Sequence, residues 1–125
     1  MSAPIPVLPV TRTLSQAQLE AYADASGDHN PVHIDPEFAR TTPFGGTIAH
    51  GMLVLALIGE MMYAALGERW ASAGRLKVRF RAPARPGDTI TASAQPAGDG
   101  AYSVQCANER GEVLVEGRAS VGGAA

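Results

Sequence analysis

An α+β domain, with one antiparallel sheet wrapped around one long apolar helix, is predicted by three features of the sequence. The run from Met52 to Leu66 is apolar almost all round, as a buried helix is. From Gly74 onward the apolar period switches from helical to two, which marks strands. The chain has 125 residues, which is one domain's worth of polypeptide, so helix and sheet must share one core.

Each element follows in order. Val7 to Thr13 reads as a short strand after a proline-rich lead over residues 1–9. Ser15 with Gln18 three residues later has the capping-box pattern. Leu19, Tyr22 and Ala23 recur at helical spacing, predicting a helix from about Gln16 to Ala25, ended by Gly27. Asp28 to Pro36 is a loop by composition, and Asp35-Pro36 reads as an N-cap with proline in the first helical position, opening a helix through Arg40. Thr41 to Thr47 is a second loop. The central helix runs from about His50 to Leu66, with Gly67 as its C-cap.

The strand after Gly74 alternates Arg75, Lys77, Arg79 and Arg81 with Leu76, Val78 and Phe80, so its outer face is cationic. Pro86-Gly87-Asp88 makes a turn. Thr89–Ala97, Tyr102–Asn108 and Val113–Val121 read as three further strands, joined by turns at Gly98-Asp99-Gly100 and Glu109-Arg110-Gly111. The domain spans residues 10–121, and residues 122–125 are expected to be a frayed tail.

Composition narrows the function classes. Ten basic against twelve acidic residues give a net charge of −2, which does not indicate a cationic nucleic-acid binder. The single cysteine, Cys106, forms no internal disulfide and no multi-cysteine zinc site. The N-terminus carries no secretory pattern, and the central apolar run is shorter than the about 20 residues a membrane span needs. A cytoplasmic protein is expected.

The densest polar cluster is Ser26-Gly27-Asp28-His29-Asn30-Pro31-Val32-His33-Ile34-Asp35-Pro36. Pro31 bends the path between Asp28 and His33, so a carboxylate and an imidazole can converge on one water and share proton transfer. Asn30 can hold the loop or that water. The same residue types also form ordinary turns, and on the residues alone both readings stand. Thr47-Ile48-Ala49-His50-Gly51-Met52 leads into the central helix, whose first N–H groups and partial positive charge suit a developing oxyanion, with Gly51 allowing close approach. Here too, an eased entry for a packed helix is the competing explanation.

Weaker constellations remain. A metal on His29, His33 and Asp35, with His50 as a distant ligand, is disfavoured because the proline-bent loop lacks the helical spacing of metal-binding histidines. No phosphate-binding glycine motif is present. The Arg75, Lys77, Arg79 and Arg81 row, with Arg85 nearby, is a solvated face by default and a phosphate contact by alternative.

Residues Tyr22 to Asp35 resemble the hydratase signature of MaoC-like proteins, the (R)-specific enoyl-CoA hydratases. Ile48-Ala49-His50-Gly51-Met52-Leu53 resembles the start of their central helix, and Arg81-Ala82-Pro83-Ala84-Arg85-Pro86-Gly87-Asp88 the strand-turn that follows. The match covers about residues 10–121 in the right order. It implies a hot-dog fold, catalytic Asp28 and His33, a motif asparagine at Asn30, and a Gly51 N–H that polarises the thioester carbonyl. Where some members carry a serine on the central helix, this chain has Gly59.

The expected reaction is reversible hydration of a trans-2-enoyl-CoA to an (R)-3-hydroxyacyl-CoA, with Asn30, His50 and Met52 at the substrate and no redox cofactor or metal. A dehydratase acting on an acyl carrier protein thioester shares the same residues. A non-catalytic subunit that binds acyl thioesters is the reading from another class, and both Asp28 and His33 weigh against it. Proteins of this resemblance pair two domains into a continuous sheet with the pocket between them, so a homodimer is expected.

Overall fold

A computed structural model describes residues 4–122. β1 (Val10–Thr13) is followed by α1 (Gln16–Ser26), α2 (Pro31–Ile34), α3 (Pro36–Arg40), α4 (Gly51–Leu66) and α5 (Glu68–Ala73). Then come β2 (Gly74–Phe80), β3 (Thr89–Pro96), β4 (Ala101–Ala107) and β5 (Val113–Val121). The strands form one antiparallel sheet in the order β1-β3-β4-β5-β2, so β1 and β2 are its edges.

Alternation places the sheet's inner side chains against α4. Ile90 and Ala92 of β3, Val104 and Cys106 of β4 and Val115 of β5 are buried, as are Val54, Leu57, Ile58, Met61 and Met62 of α4. The Cys106 thiol donates to the Val54 carbonyl at 3.6 Å, fastening the sheet to the first turn of the helix. This is the expected sheet around a central helix. The helix is not buried on most sides, however. Met52 is 58% and Tyr63 50% exposed, and with Ala56 they leave an apolar stripe open on α4.

Local departures from expectation have local causes. The first strand begins at Val10 rather than Val7, because Pro9 has no N–H to give to a ladder. The lead still docks on the body: Val7 packs on the core, and the Tyr102 hydroxyl donates to the Ile5 carbonyl at 2.8 Å. The expected loop from Asp28 to Pro36 contains a helical turn, α2. Asn30-Pro31 starts it, with the Asn30 side chain accepting from Val32 N–H at 3.1 Å and proline at the first position. Asp35-Pro36 starts α3 in the same way. The short α5 has no counterpart among the expected elements; Gly67 both ends α4 and precedes α5. Of the expected tail, all but Gly122 lies outside the described residues.

The cations of β2 do share the outer face. Register sets Lys77 opposite Arg118 and Arg79 opposite Glu116, while Arg81 pairs with the Glu116 carboxylate. Arg85 stands apart from this row and reaches toward the 41–47 loop, where a Cβ on Gly46 would lie 3.9 Å from its Nη1.

Candidate active site

The site is built where the α1–α2 connection meets the segment entering α4. α1 ends on Gly27 in the left-handed region at φ 80°, its N–H returning to the Ala23 carbonyl at 2.9 Å. Glycine adopts that conformation without steric cost, and the chain turns sharply out of the helix. Asp28 follows, its N–H held by Ser26 Oγ at 3.2 Å and its own Oδ1 accepting from Asn30 N–H at 3.2 Å. The cap on Asn30 then winds α2, and one helical turn brings His33 back beside Asp28. His33 Nε2 lies 3.8 Å from Asp28 Oδ2.

The entering segment fixes this loop at three points. Ile48 N–H donates to the Val32 carbonyl at 3.2 Å. The His33 ring places Nδ1 2.8 Å from the Ile48 carbonyl. The His50 ring places Nε2 3.0 Å from the Asp28 carbonyl. Gln16 adds a fourth tie, donating to the His33 carbonyl at 2.9 Å and accepting from the Thr47 hydroxyl at 2.7 Å.

These contacts assign the protons. A carbonyl only accepts, so His33 carries a proton on Nδ1, and in its neutral form it turns the Nε2 lone pair toward the carboxylate. Two acceptors facing each other at 3.8 Å do not bond to one another. They suit a small molecule with two donors between them, and water is the simplest. Asp28 is half exposed and His33 nearly enclosed, so the pair opens to solvent from the carboxylate side.

Gly51 begins α4 directly after His50. The N-cap position makes no side-chain cap bond, and among the described residues neither Gly51 nor Met52 gives its N–H to a partner. Two unpaired donors and the positive end of a four-turn helix therefore stand next to the imidazole pair. A Cβ on Gly51 would sit 3.0 Å from the Phe80 ring, which is itself 52% exposed, so an apolar rim of Phe80 and Met52 borders these donors.

The structure brings Asp28, His33, His50 and Gly51 together. Asn30 lies in the same loop, its side-chain oxygen engaged in capping α2, and Met52 lies on the rim. His50, expected at the substrate, is only 3% exposed, with its ring stacked on His33 at 3.8 Å between centroids and 23° between planes. Of the residues weighed for a metal, His33 and His50 are brought together, whereas His29 and Asp35 are not. His29 points away to Asp24 at 3.0 Å, which raises its pKa, and Asp35 caps α3. The grouped donor set is instead Asp28, His33 and His50, with one ligand atom each within 4.8 Å of the others. That spread is wide against the about 3.3 Å between neighbouring ligands of tetrahedral zinc. Sequence reasoning missed Tyr22, Gln16 and the Ile48 carbonyl. Tyr22 had only a helical-spacing signal, Gln16 had no signal, and the backbone acceptor has none in any sequence.

The depression on the outer sheet face, lined by Ser93, Gln95, Ser103, Gln105 and Glu116 among others, includes none of these residues. Among the described residues no helix is long and apolar enough to cross a membrane.

Comparison with known proteins bears on this arrangement. The family model for the MaoC like domain matches residues 5–117. A 3-hydroxyacyl-thioester dehydratase Z of Mycobacterium tuberculosis is 42% identical over 90 residues, covering 69% of this chain and 60% of that protein. An (R)-specific enoyl-CoA hydratase of Rhodospirillum rubrum is 34% identical over 122 residues, covering 90% of this chain and 81% of that one. The chain thus spans less than two thirds of the mycobacterial relative. An unliganded R-hydratase from Pseudomonas aeruginosa superposes with a TM-score of 0.77 at 28% identity, over 94% of this chain and 79% of that one.

Proposed function

Because the chain belongs to the MaoC-like domain family, we propose that it hydrates trans-2-enoyl thioesters reversibly to (R)-3-hydroxyacyl thioesters, with coenzyme A as the carrier. The observation that supports this best is the pair of facing acceptors, Asp28 Oδ2 and His33 Nε2, 3.8 Å apart beside an uncapped helix N-terminus.

The chemistry follows from those positions. A water held between the two acceptors gives up one proton as its oxygen forms a bond to C3 of the enoyl group. Electron density moves through C2 to the thioester oxygen, where the Gly51 N–H meets it; such a donor is worth about 3–4 kcal/mol of barrier. A proton then reaches C2 from the same pair, on the face where the water added, and the carbonyl re-forms. Atoms balance as one water added across one double bond. The same steps reversed are dehydration, and the residues call for neither a redox group nor a metal.

A second copy of the chain completes the site in this reading. The pair is open on one side, the stripe of Met52, Ala56 and Tyr63 on α4 is uncovered, and β2 is an edge strand ending in exposed Phe80. A homodimer that covers α4 and extends the sheet at β2 gives the acyl chain its second wall.

Asp28→Asn and His33→Ala are each expected to lower crotonyl-CoA hydration by about 10²–10⁴-fold, the usual contribution of a general acid–base, with circular dichroism unchanged. Near-normal turnover in both folded variants would overturn the reading. Comparing rates on coenzyme A and carrier-protein thioesters decides the carrier.

A further inference from the structure

His50 takes no part in the proton transfers just described, yet it touches both groups that do. Its Nε2 lies 3.0 Å from the Asp28 carbonyl, and its ring lies face to face with His33. On another side the Tyr22 ring stands 4.8 Å away, tilted by 57°. We infer that His50 is a positioning residue: neutral, with its proton on Nε2, it holds the Asp28 peptide and one face of the His33 ring, and so sets the gap in which water is activated. The kinetic part of this inference rests on the hydratase reading.

Each contact constrains a different part of the pair. The bond from His33 Nδ1 to the Ile48 carbonyl fixes one edge of that ring but leaves it free to swing about the bond. A planar ring stacked 3.8 Å away blocks the swing and keeps Nε2 aimed at Asp28. Asp28 sits in an exposed connection, where its N–H and carboxylate meet only near neighbours in sequence. The His50 bond is the link that ties its peptide to the α4 side of the molecule.

The tautomer follows from the acceptor. With Nε2–H given to a carbonyl, Nδ1 is a bare lone pair, and it is buried with no hydrogen-bond partner among the described residues. A proton there would find no acceptor. It would also set a cation against the His33 ring just when His33 takes up its own proton. The His50 ring meets the rings of Tyr22 and His33 and the carbonyl of Asp28. The only formal charge among these residues, the Asp28 carboxylate, is directed at His33 Nε2 and Asn30 N–H. A neutral ring is therefore the form that lets His33 cycle.

Long-range ¹H–¹⁵N imidazole spectra of the intact protein at neutral pH test this directly. In wild type His50 should appear as the neutral Nε2–H tautomer and His33 as the Nδ1–H tautomer. His50→Phe keeps a ring on His33 without the donor; His50→Gln keeps a donor without the ring. Each should mix the His33 tautomers and lower kcat by about 10–100-fold with KM within about twofold, as small misplacement of a catalytic group does. A wild-type His50 that is cationic or protonated on Nδ1 would sink the proposal, and so would folded variants with unchanged His33 spectra or unchanged kcat. If both variants unfold, the wild-type spectra decide. A chain with these spectra but no turnover on any enoyl thioester would remove the reaction and keep the positioning role.

Discussion

His33 and His50 are the same side chain in two environments, and the environments divide their work. His33 reaches the open gap with a bare Nε2, while His50 lies behind it with its bare nitrogen sealed. Neither assignment can be read from the residue type, because each depends on a carbonyl that sequence does not mark. Cys106 shows the same rule at a nucleophile. Its side chain is fully buried, and burial pushes its thiol up to about 12. The thiolate is the reactive form, so at pH 8 the native protein should resist iodoacetamide. Modification followed by mass spectrometry should rise only as urea unfolds the chain, and rapid labelling of folded protein would contradict this burial. Asp28 and His33 were legible as candidates from their types and the intervening proline. Their convergence depended on Gly27 in the left-handed region, legible as a helix stop, and on the Asn30 cap, which composition reads as part of a loop.

At the scale of elements, α2 lies where composition predicts a loop, although Asn30-Pro31 repeats the Asp35-Pro36 pattern that predicts a helix start. A single turn is too short to show a period, so capping chemistry was the only available sign. The strands were legible to within a residue or two because alternation and glycine turns mark them, apart from Pro9 delaying β1. What alternation does not reveal is how closely strands approach. Gly117 in β5 stands opposite Val78 of β2, and a Cβ there would lie 2.0 Å from the Lys77 carbonyl oxygen and 2.7 Å from Val78 Cα. Both neighbours are backbone and cannot swing aside. Gly117→Ala should destabilise the fold by about 1–3 kcal/mol or more, measured by urea denaturation, and should loosen β2 first. An unchanged denaturation midpoint would show that the two strands can separate freely.

At the scale of the whole molecule, one chain places the Asp28–His33 pair, the helix N-terminus and an apolar rim together but leaves them open. Exposed Met52 and Tyr63 on α4 and Phe80 at the end of β2 leave large apolar side chains uncovered in one chain. The proposed homodimer covers them. Analytical ultracentrifugation should give twice the chain mass of 13.0 kDa, and Phe80→Asp should shift the protein to monomer and lower activity with it. A fully active monomer would remove the second copy from the site. The cations of β2 lie on the opposite face of that strand from Phe80, so one edge strand carries a charged outer row and an apolar inner one.

The sequence by itself determined the α+β class, the central apolar helix, the strands after Gly74 and the two side chains most suited to proton transfer. Those are consequences of period, capping and residue chemistry, which are local. The family resemblance also lay in contiguous motifs. Only the tertiary structure decided that His50 lies buried behind His33, which backbone carbonyl each imidazole meets, and which face of α4 stays uncovered. Those depend on groups far apart in the chain, above all backbone carbonyls, whose positions no side-chain pattern encodes.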